Sequence, residues 1–180
     1  QGEILQIEKA LSKDINEELY YKMVSDKTAS LFSAACEIGA ITADAAENEQ
    51  KAMAKFGEKL GIAFQIRDDL FDIMGKIDDI GKPIGFDVKK NMLTLPLIHI
   101  FESIDKKEKK QLLKQIKRHA SRNDLKLLRK LIETYGGFEY AKNQMIKISK
   151  EALSCLSIFP DSVYKQSLEE AVKFNLGRKI

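Results

Sequence analysis

Helix breakers are scarce in this chain. Its 180 residues include 10 glycines and 3 prolines. In a sequence rich in Lys, Glu, Leu, Ile and Ala, so few breakers predict a mostly helical, all-α fold. There is no strand-like alternation of apolar and polar residues worth assigning, no internal repeat and no low-complexity tract. Cysteine is limited to Cys36 and Cys155, both in apolar helical surroundings and without metal-ligand spacing. That argues against a disulfide framework and for reduced, buried thiols in a cytoplasmic protein. No apolar run approaches the roughly 20 residues needed to cross a bilayer, and no signal peptide is visible. The net charge of +3 is too small to argue for or against nucleic acid, and no nucleic-acid partner is expected. What remains, 44% hydrophobic and 32% charged, suits one soluble domain able to bury a sizeable core.

The periodicity predicts a succession of helices. Glu3, Ile4, Ile7 and Leu11 open the chain at helical spacing; Ser12 to Asn16 reads as a turn, with Asn16 a cap. A long helix is expected from about Tyr20 to Asn48. Its face of Met23, Lys27, Leu31, Ala34 or Ala35, Ile38 and Thr42 carries many small residues suited to close packing. The next helix runs from about Glu49 to Met74, with Gly57 and Gly61 at points of close approach. From Gly75 to Met92 the sequence is irregular, because Gly81, Pro83, Gly85 and Asn91 oppose helix there. A loop of that length in a helical domain is usually functional. Helix resumes near Leu93 with Pro96 in its first turn; Asp105 caps another, Lys106 to His119. Asn123 or Asp124 starts the next, ending at Gly136-Gly137; helices over Phe138–Phe159 and Ser162–Asn175 complete the chain.

One stretch stands out, Phe64-Gln-Ile-Arg-Asp-Asp-Leu-Phe-Asp72. Gln65, Asp69 and Asp72 fall at i, i+4 and i+7, and Asp68 flanks them. Like charges at that spacing repel, and a buried carboxylate is costly without a positive partner. Mg²⁺, which prefers carboxylate oxygens, would compensate; an acidic, solvated helix face is the alternative. Three further pieces bear on the choice: the glycine-rich loop with Lys82 and Asp87, the pair Lys27-Thr28 on an otherwise apolar face, and Gln65 one turn before the aspartates. Lysines beside metal-bound carboxylates suit a polyanion such as diphosphate. Taken singly, each has an ordinary reading. Lys27 can snorkel, Thr28 can bond its own helix, Lys82 can be a loop lysine, and Gln65 can be a satisfied core amide.

Taken together, these segments resemble the trans-isoprenyl diphosphate synthases, the polyprenyl synthetase family. The resemblance rests on Gln1-Gly-Glu, Lys27-Thr-Ala-Ser-Leu-Phe, Gly39-Ala40, Gly61 to Asp72, Gly81-Lys-Pro-Ile-Gly-Phe-Asp87, Thr94-Leu-Pro-Leu-Ile98 and Gly136-Gly-Phe-Glu-Tyr-Ala141. It covers essentially the whole chain as that family's C-terminal half, of the longer-chain octaprenyl or heptaprenyl type. It implies the C-terminal helices of the isoprenoid synthase bundle. The implied activity is extension of an allylic diphosphate by isopentenyl diphosphate, with Mg²⁺ and a homodimer. In this resemblance Asp68, Asp69 and Asp72 hold Mg²⁺, and Asp87 supports its waters. Lys27, Thr28, Gln65 and Lys82 contact the diphosphate or line its site, and Arg178 resembles a terminal basic residue reaching isopentenyl diphosphate.

Two departures qualify the likeness. Met92 stands where the family commonly has lysine, with Lys89 and Lys90 nearby. A second Asp-Asp-x-x-Asp motif is absent, since Asp78-Asp79 lacks a third partner. With Gln1 rather than Met at its start, the chain is expected to be a fragment of a longer enzyme, inactive alone. The alternative is a non-catalytic partner subunit, against which the aspartate cluster and Lys82 argue. A terpene cyclase would carry an Asn/Ser/Glu pattern in place of these aspartates.

Overall fold

The computed structural model describes residues 16–74, 94–121 and 125–177, and no strand occurs among them. In order come α1 (Glu17–Val24), a π-helical turn (Ser25–Ala29), α2 (Ser30–Thr42), α3 (Glu47–Met74), α4 (Leu95–Ser103), α5 (Lys106–Ser121), α6 (Leu125–Thr134), α7 (Gly137–Cys155), a 3₁₀ turn (Leu156–Ile158) and α8 (Val163–Gly177). The expected opening helix, the loop before Thr94 and the Asn123/Asp124 cap lie outside the described residues.

Several helix starts follow from short polar side chains. The Leu19 amide donates to Asn16 Oδ1 at 2.9 Å. Asp105 Oδ1 accepts from the amides of Lys107 and Glu108, both at 2.8 Å, and Ser162 Oγ from that of Lys165 at 3.1 Å. Each bond satisfies a donor that the first turn of a helix leaves without an intrahelical partner. Gly136 takes φ 72° in the turn before α7, a left-handed conformation that glycine adopts without strain.

The helix expected from Tyr20 to Asn48 is α1 and α2 with a π-helical turn between them, followed by the start of α3. Its chain breaks after Thr42, where Asp44 enters the left-handed region at φ 53°. Thr42 Oγ1 donates back to the Gly39 carbonyl at 3.0 Å, and Glu49 Oε2 accepts from the Ala46 amide at 2.8 Å. The Glu49 contact is one arm of a capping box and starts α3 afresh. Local side-chain bonds thus override the helical propensity of an alanine-rich run.

Contacts divide the chain into two units, the boundary on α3 falling between Arg67 and Asp68. Among the described residues, the first comprises 22–67 and 143–177. Its core cluster is Phe56, Ala152, Leu156 and Val172, with Cys36, Met53, Leu60 and Phe159 packed against it. Fully burying a side chain such as Phe56 contributes about 1.5–3 kcal/mol. Here α2 lies close on α3, as the glycines predict: a Cβ on Gly57 would stand 2.3 Å from the Phe32 carbonyl oxygen, and one on Gly61 2.7 Å from Ala29 Cα. The face in contact differs from the expected one. Ala29 and Ala40 are buried, whereas Leu31 and Ile38 are 72% and 59% exposed. The π-helical turn explains this. One extra residue rotates the following helix by about 100°, so the face extrapolated through Met23 and Lys27 turns outward.

Among the described residues, the second unit comprises 16–21, 68–74, 94–121 and 125–142. Its interior holds Leu70, Ile73, Leu95, Leu97, Ile98, Ile100, Leu128 and Ile132, all fully buried. Pro96 sits in the first turn of α4, as expected. A Cβ on Gly137 would meet the Pro96 carbonyl at 2.6 Å, so glycine there permits the approach of α7 to α4. Arg129 Nε donates to the Ile73 carbonyl at 2.6 Å, satisfying an acceptor in the last turn of α3. His99 stacks on Tyr140, with ring centroids 3.7 Å apart, and the Tyr140 hydroxyl donates to the Glu17 carboxylate.

Candidate functional site

The Lys27-Thr28 pair stands on the π-helical turn. A π-helical turn interrupts regular helix hydrogen bonding and is frequent at functional sites. Lys27 is exposed and Thr28 half-buried. Thr28 Oγ1 donates to Gln65 Oε1 at 2.9 Å, which joins two of the predicted site residues and orients the Gln65 amide. Gly61, one turn earlier on α3, is what lets this turn approach so closely.

The aspartates begin the second unit's part of α3. They are not equivalent. Asp68 is exposed, Asp72 half-buried, and Asp69 only 5% exposed. Asp69 Oδ2 accepts a 2.7 Å hydrogen bond from the hydroxyl of Tyr20, itself buried. That bond has the length of a charge-assisted O–H···O⁻ contact. Tyr20 is a residue that the sequence reading missed. A tyrosine on an apolar helix face is a usable signal, because a buried phenol usually finds a partner.

Arg67, within the motif, turns the other way. It is 2% exposed, its Nη1 donates to the Asn175 carbonyl on α8 at 3.0 Å, and its guanidinium lies 5.1 Å from the Phe64 ring centroid. It is thus part of the packing of the first unit. Nearby, Glu151 on α7 meets Lys59 on α3 at 2.7 Å, and that lysine holds the carboxyl below its usual range. Cys36 and Cys155 are free and half-buried rather than fully buried as expected, and this partial burial pushes both thiols up.

Lys82, Asp87, Met92, Lys89, Lys90 and Arg178 lie outside the described residues. Among the described residues no three His, Cys, Asp or Glu side chains converge as a metal cage. A depression of about 490 Å³ on α7, lined by Asn143, Ile146, Lys147, Lys150, Glu151 and Ser154, includes none of the predicted site residues. No helix among the described residues is long and apolar enough to cross a membrane.

The architecture has solved counterparts. A decaprenyl diphosphate synthase from Rhodobacter capsulatus superposes with TM-score 0.86 at 34% identity, covering 98% of this chain and 55% of that one. A geranylgeranyl pyrophosphate synthetase from Pyrococcus horikoshii gives 0.88 at 33%, covering 99% and 54%. The fold is therefore the all-α fold of the isoprenoid synthases. In sequence, an octaprenyl diphosphate synthase from Escherichia coli is 29% identical over 168 residues, 93% of this chain and 52% of the relative. A geranylgeranyl diphosphate synthase from Sulfolobus acidocaldarius is 36% identical over 158 residues, 87% and 48% respectively. The family model for polyprenyl synthetase matches residues 1–134. The chain belongs to the polyprenyl synthetase family. It spans about half the length of the curated relatives that it matches.

Proposed function

We propose that these residues supply the second-aspartate-motif half of a long-chain prenyl diphosphate synthase, which extends an allylic diphosphate with isopentenyl diphosphate. The observation that carries the reading is Asp68, Asp69 and Asp72 on one unbroken helix, in a chain whose residues 1–134 match the polyprenyl synthetase family model. Octaprenyl and decaprenyl synthases among the relatives support the longer product. A cytoplasmic homodimer of full-length chains is part of the same proposal.

The donor set suits Mg²⁺. It offers carboxylate oxygens, with Asp68 exposed and no all-protein cage among the described residues. Mg²⁺ characteristically takes one or two carboxylates and completes its shell with water and phosphate oxygens. Asp68 and Asp72 would hold it, with Asp69 and Asp87 in support. When bound, Mg²⁺ supplies electrostatic stabilisation of the charge that develops on a departing diphosphate. In this reading Lys27 and Lys82 would supply ammonium donors to the diphosphate, and Thr28 and Gln65 would line its site. The allylic C–O bond then breaks with both electrons leaving on diphosphate. The isopentenyl double bond attacks the allylic carbon, and loss of a proton restores an alkene. Exclusion of water from such a site would keep the cation from hydrolysis.

The test is Asp68→Ala in a polypeptide of the relatives' full length that contains these residues. Turnover should fall by roughly 10²-fold or more, the scale of losing one preorganised charge-stabilising group. Unchanged turnover at saturating Mg²⁺ would remove Asp68 from the metal site.

A further inference from the structure

Asp68 and Asp69 are neighbours in sequence with opposite circumstances. Asp68 is exposed, while Asp69 is 5% exposed with Oδ2 engaged by a tyrosine hydroxyl 2.7 Å away. Tyr20 is fixed in its turn. It is 1% exposed, its ring stands edge-on to Tyr21 at 5.5 Å, and the first turn of α1 is capped by Asn16. A carboxylate so held cannot rotate freely, and one of its oxygens is committed to a donor rather than to a cation. This is the arrangement by which groups outside a metal's coordination shell orient the ligands inside it. Nothing in the bare Asp-Asp-x-x-Asp pattern distinguishes the two aspartates in this way.

We propose that Tyr20 is a positioning residue for the divalent-cation site: its hydroxyl holds Asp69 so that the aspartate pair presents one set geometry to the cation. Asp68 is the exposed partner and Asp69 the anchored one. Tyr20 touches neither substrate nor cation and acts through Asp69. The inference rests on the metal reading under Proposed function.

Tyr20→Phe keeps the ring and its packing and removes only the hydroxyl. Mn²⁺ binding, followed by electron paramagnetic resonance with inorganic diphosphate present, should weaken about tenfold in the full-length protein, within the range for lost outer-shell partners. The Mg²⁺ concentration for half-maximal turnover should rise in parallel, with kcat largely recovered at saturating Mg²⁺. A purely structural hydroxyl would lower the unfolding midpoint and leave both metal readouts unchanged, which would overturn the proposal. Asp69→Asn serves as a second, independent variant. It should weaken Mn²⁺ binding, and adding Tyr20→Phe to it should cost little more, because both changes act on the same contact. Fully additive losses, or unaltered Mn²⁺ affinity in Asp69→Asn, would also overturn it. If the unsubstituted protein binds no Mn²⁺, the metal reading itself falls and the Tyr20 inference with it. That outcome is distinct from equal binding by parent and variant, which removes Tyr20 alone.

Discussion

Replacing Gly57 and Gly39 by alanine, one at a time, should change stability in opposite directions. Both glycines lie inside helices, where alanine is favoured by about 1 kcal/mol on propensity alone. Gly39, at an exposed position on α2, has nothing within 4 Å of an added Cβ, so Gly39→Ala should realise most of that gain. At Gly57 the same methyl would stand 2.3 Å from the Phe32 carbonyl oxygen, 2.7 Å from its carbon and 2.9 Å from Ser33 Cα. Ordinary carbon contacts need about 3.5–4.0 Å, so α2 must recede from α3 by about 1 Å. The obstructing atoms are backbone, and no rotamer change can clear them. Overpacking typically costs about 1–3 kcal/mol, and a backbone collision belongs at or beyond the upper end. Subtracting the propensity gain leaves a net loss of about 2 kcal/mol. With a urea dependence of about 1–3 kcal/mol per molar, the midpoint should fall by about 1 M. Urea titrations by far-ultraviolet circular dichroism on parent and both variants suffice. If Gly57→Ala is as stable as the parent, α2 and α3 do not meet as described, and the approach of the Lys27-Thr28 turn to Gln65 is in question too.

Two further expectations concern groups whose environment is set by the first unit. Glu151 is held below its ordinary pKa of 4.5 chiefly by its hydrogen bond to Lys59, so the stability it contributes is full above that value and lost as pH falls. Lys59→Met should therefore flatten the acid side of the stability–pH curve. The loss near neutrality should be below about 1 kcal/mol, since both side chains are partly solvated. An unchanged acid limb would contradict the pairing. For the thiols, Cys36 and Cys155 are both raised by burial from 9.0, and little thiolate exists at pH 8. Iodoacetamide should modify them markedly more slowly in the folded protein than in urea; equal rates would refute their cover.

Helix count and caps were largely legible because they depend on local chemistry. Asn16 and Asp105, read as caps, bond amides two or three residues away; Ser162, read only as the start of the last helix, does the same, and Gly136 is needed for its own φ. The packed face of α2 was not legible. Two stripes, Ala29–Ser33–Cys36–Ala40 and Leu31–Ala35–Ile38–Thr42, share the same helical spacing. Hydrophobicity favours the second, yet Leu31 and Ile38 are exposed and Ala29 and Ala40 buried. What selects the first is the missing Cβ of Gly57 and Gly61, together with a π-helical register shift that no periodic template includes. The break at Asp44 was hidden for a similar reason, since alanine-rich sequence conceals a turn made by the side chains of Thr42 and Glu49.

The aspartate motif shows the limit of spacing as a guide to chemistry. The i, i+4, i+7 pattern places Gln65, Asp69 and Asp72 on one side of α3 with Asp68 flanking, and it does not rank the carboxylates. Burial and bonding set these side chains apart. Gln65 is tied to Thr28, Asp69 is covered and tied to Tyr20, and Asp68, which the spacing set to one side, is the exposed carboxylate. A hydrated cation arriving with a polyanion meets an exposed oxygen at far lower desolvation cost than a buried one. Asp68 should therefore dominate direct ligation, and Asp69 should act by keeping the pair in place. On that view Asp68→Ala and Asp69→Asn differ in kind as well as degree: the first removes a ligand, whereas the second loosens one that remains.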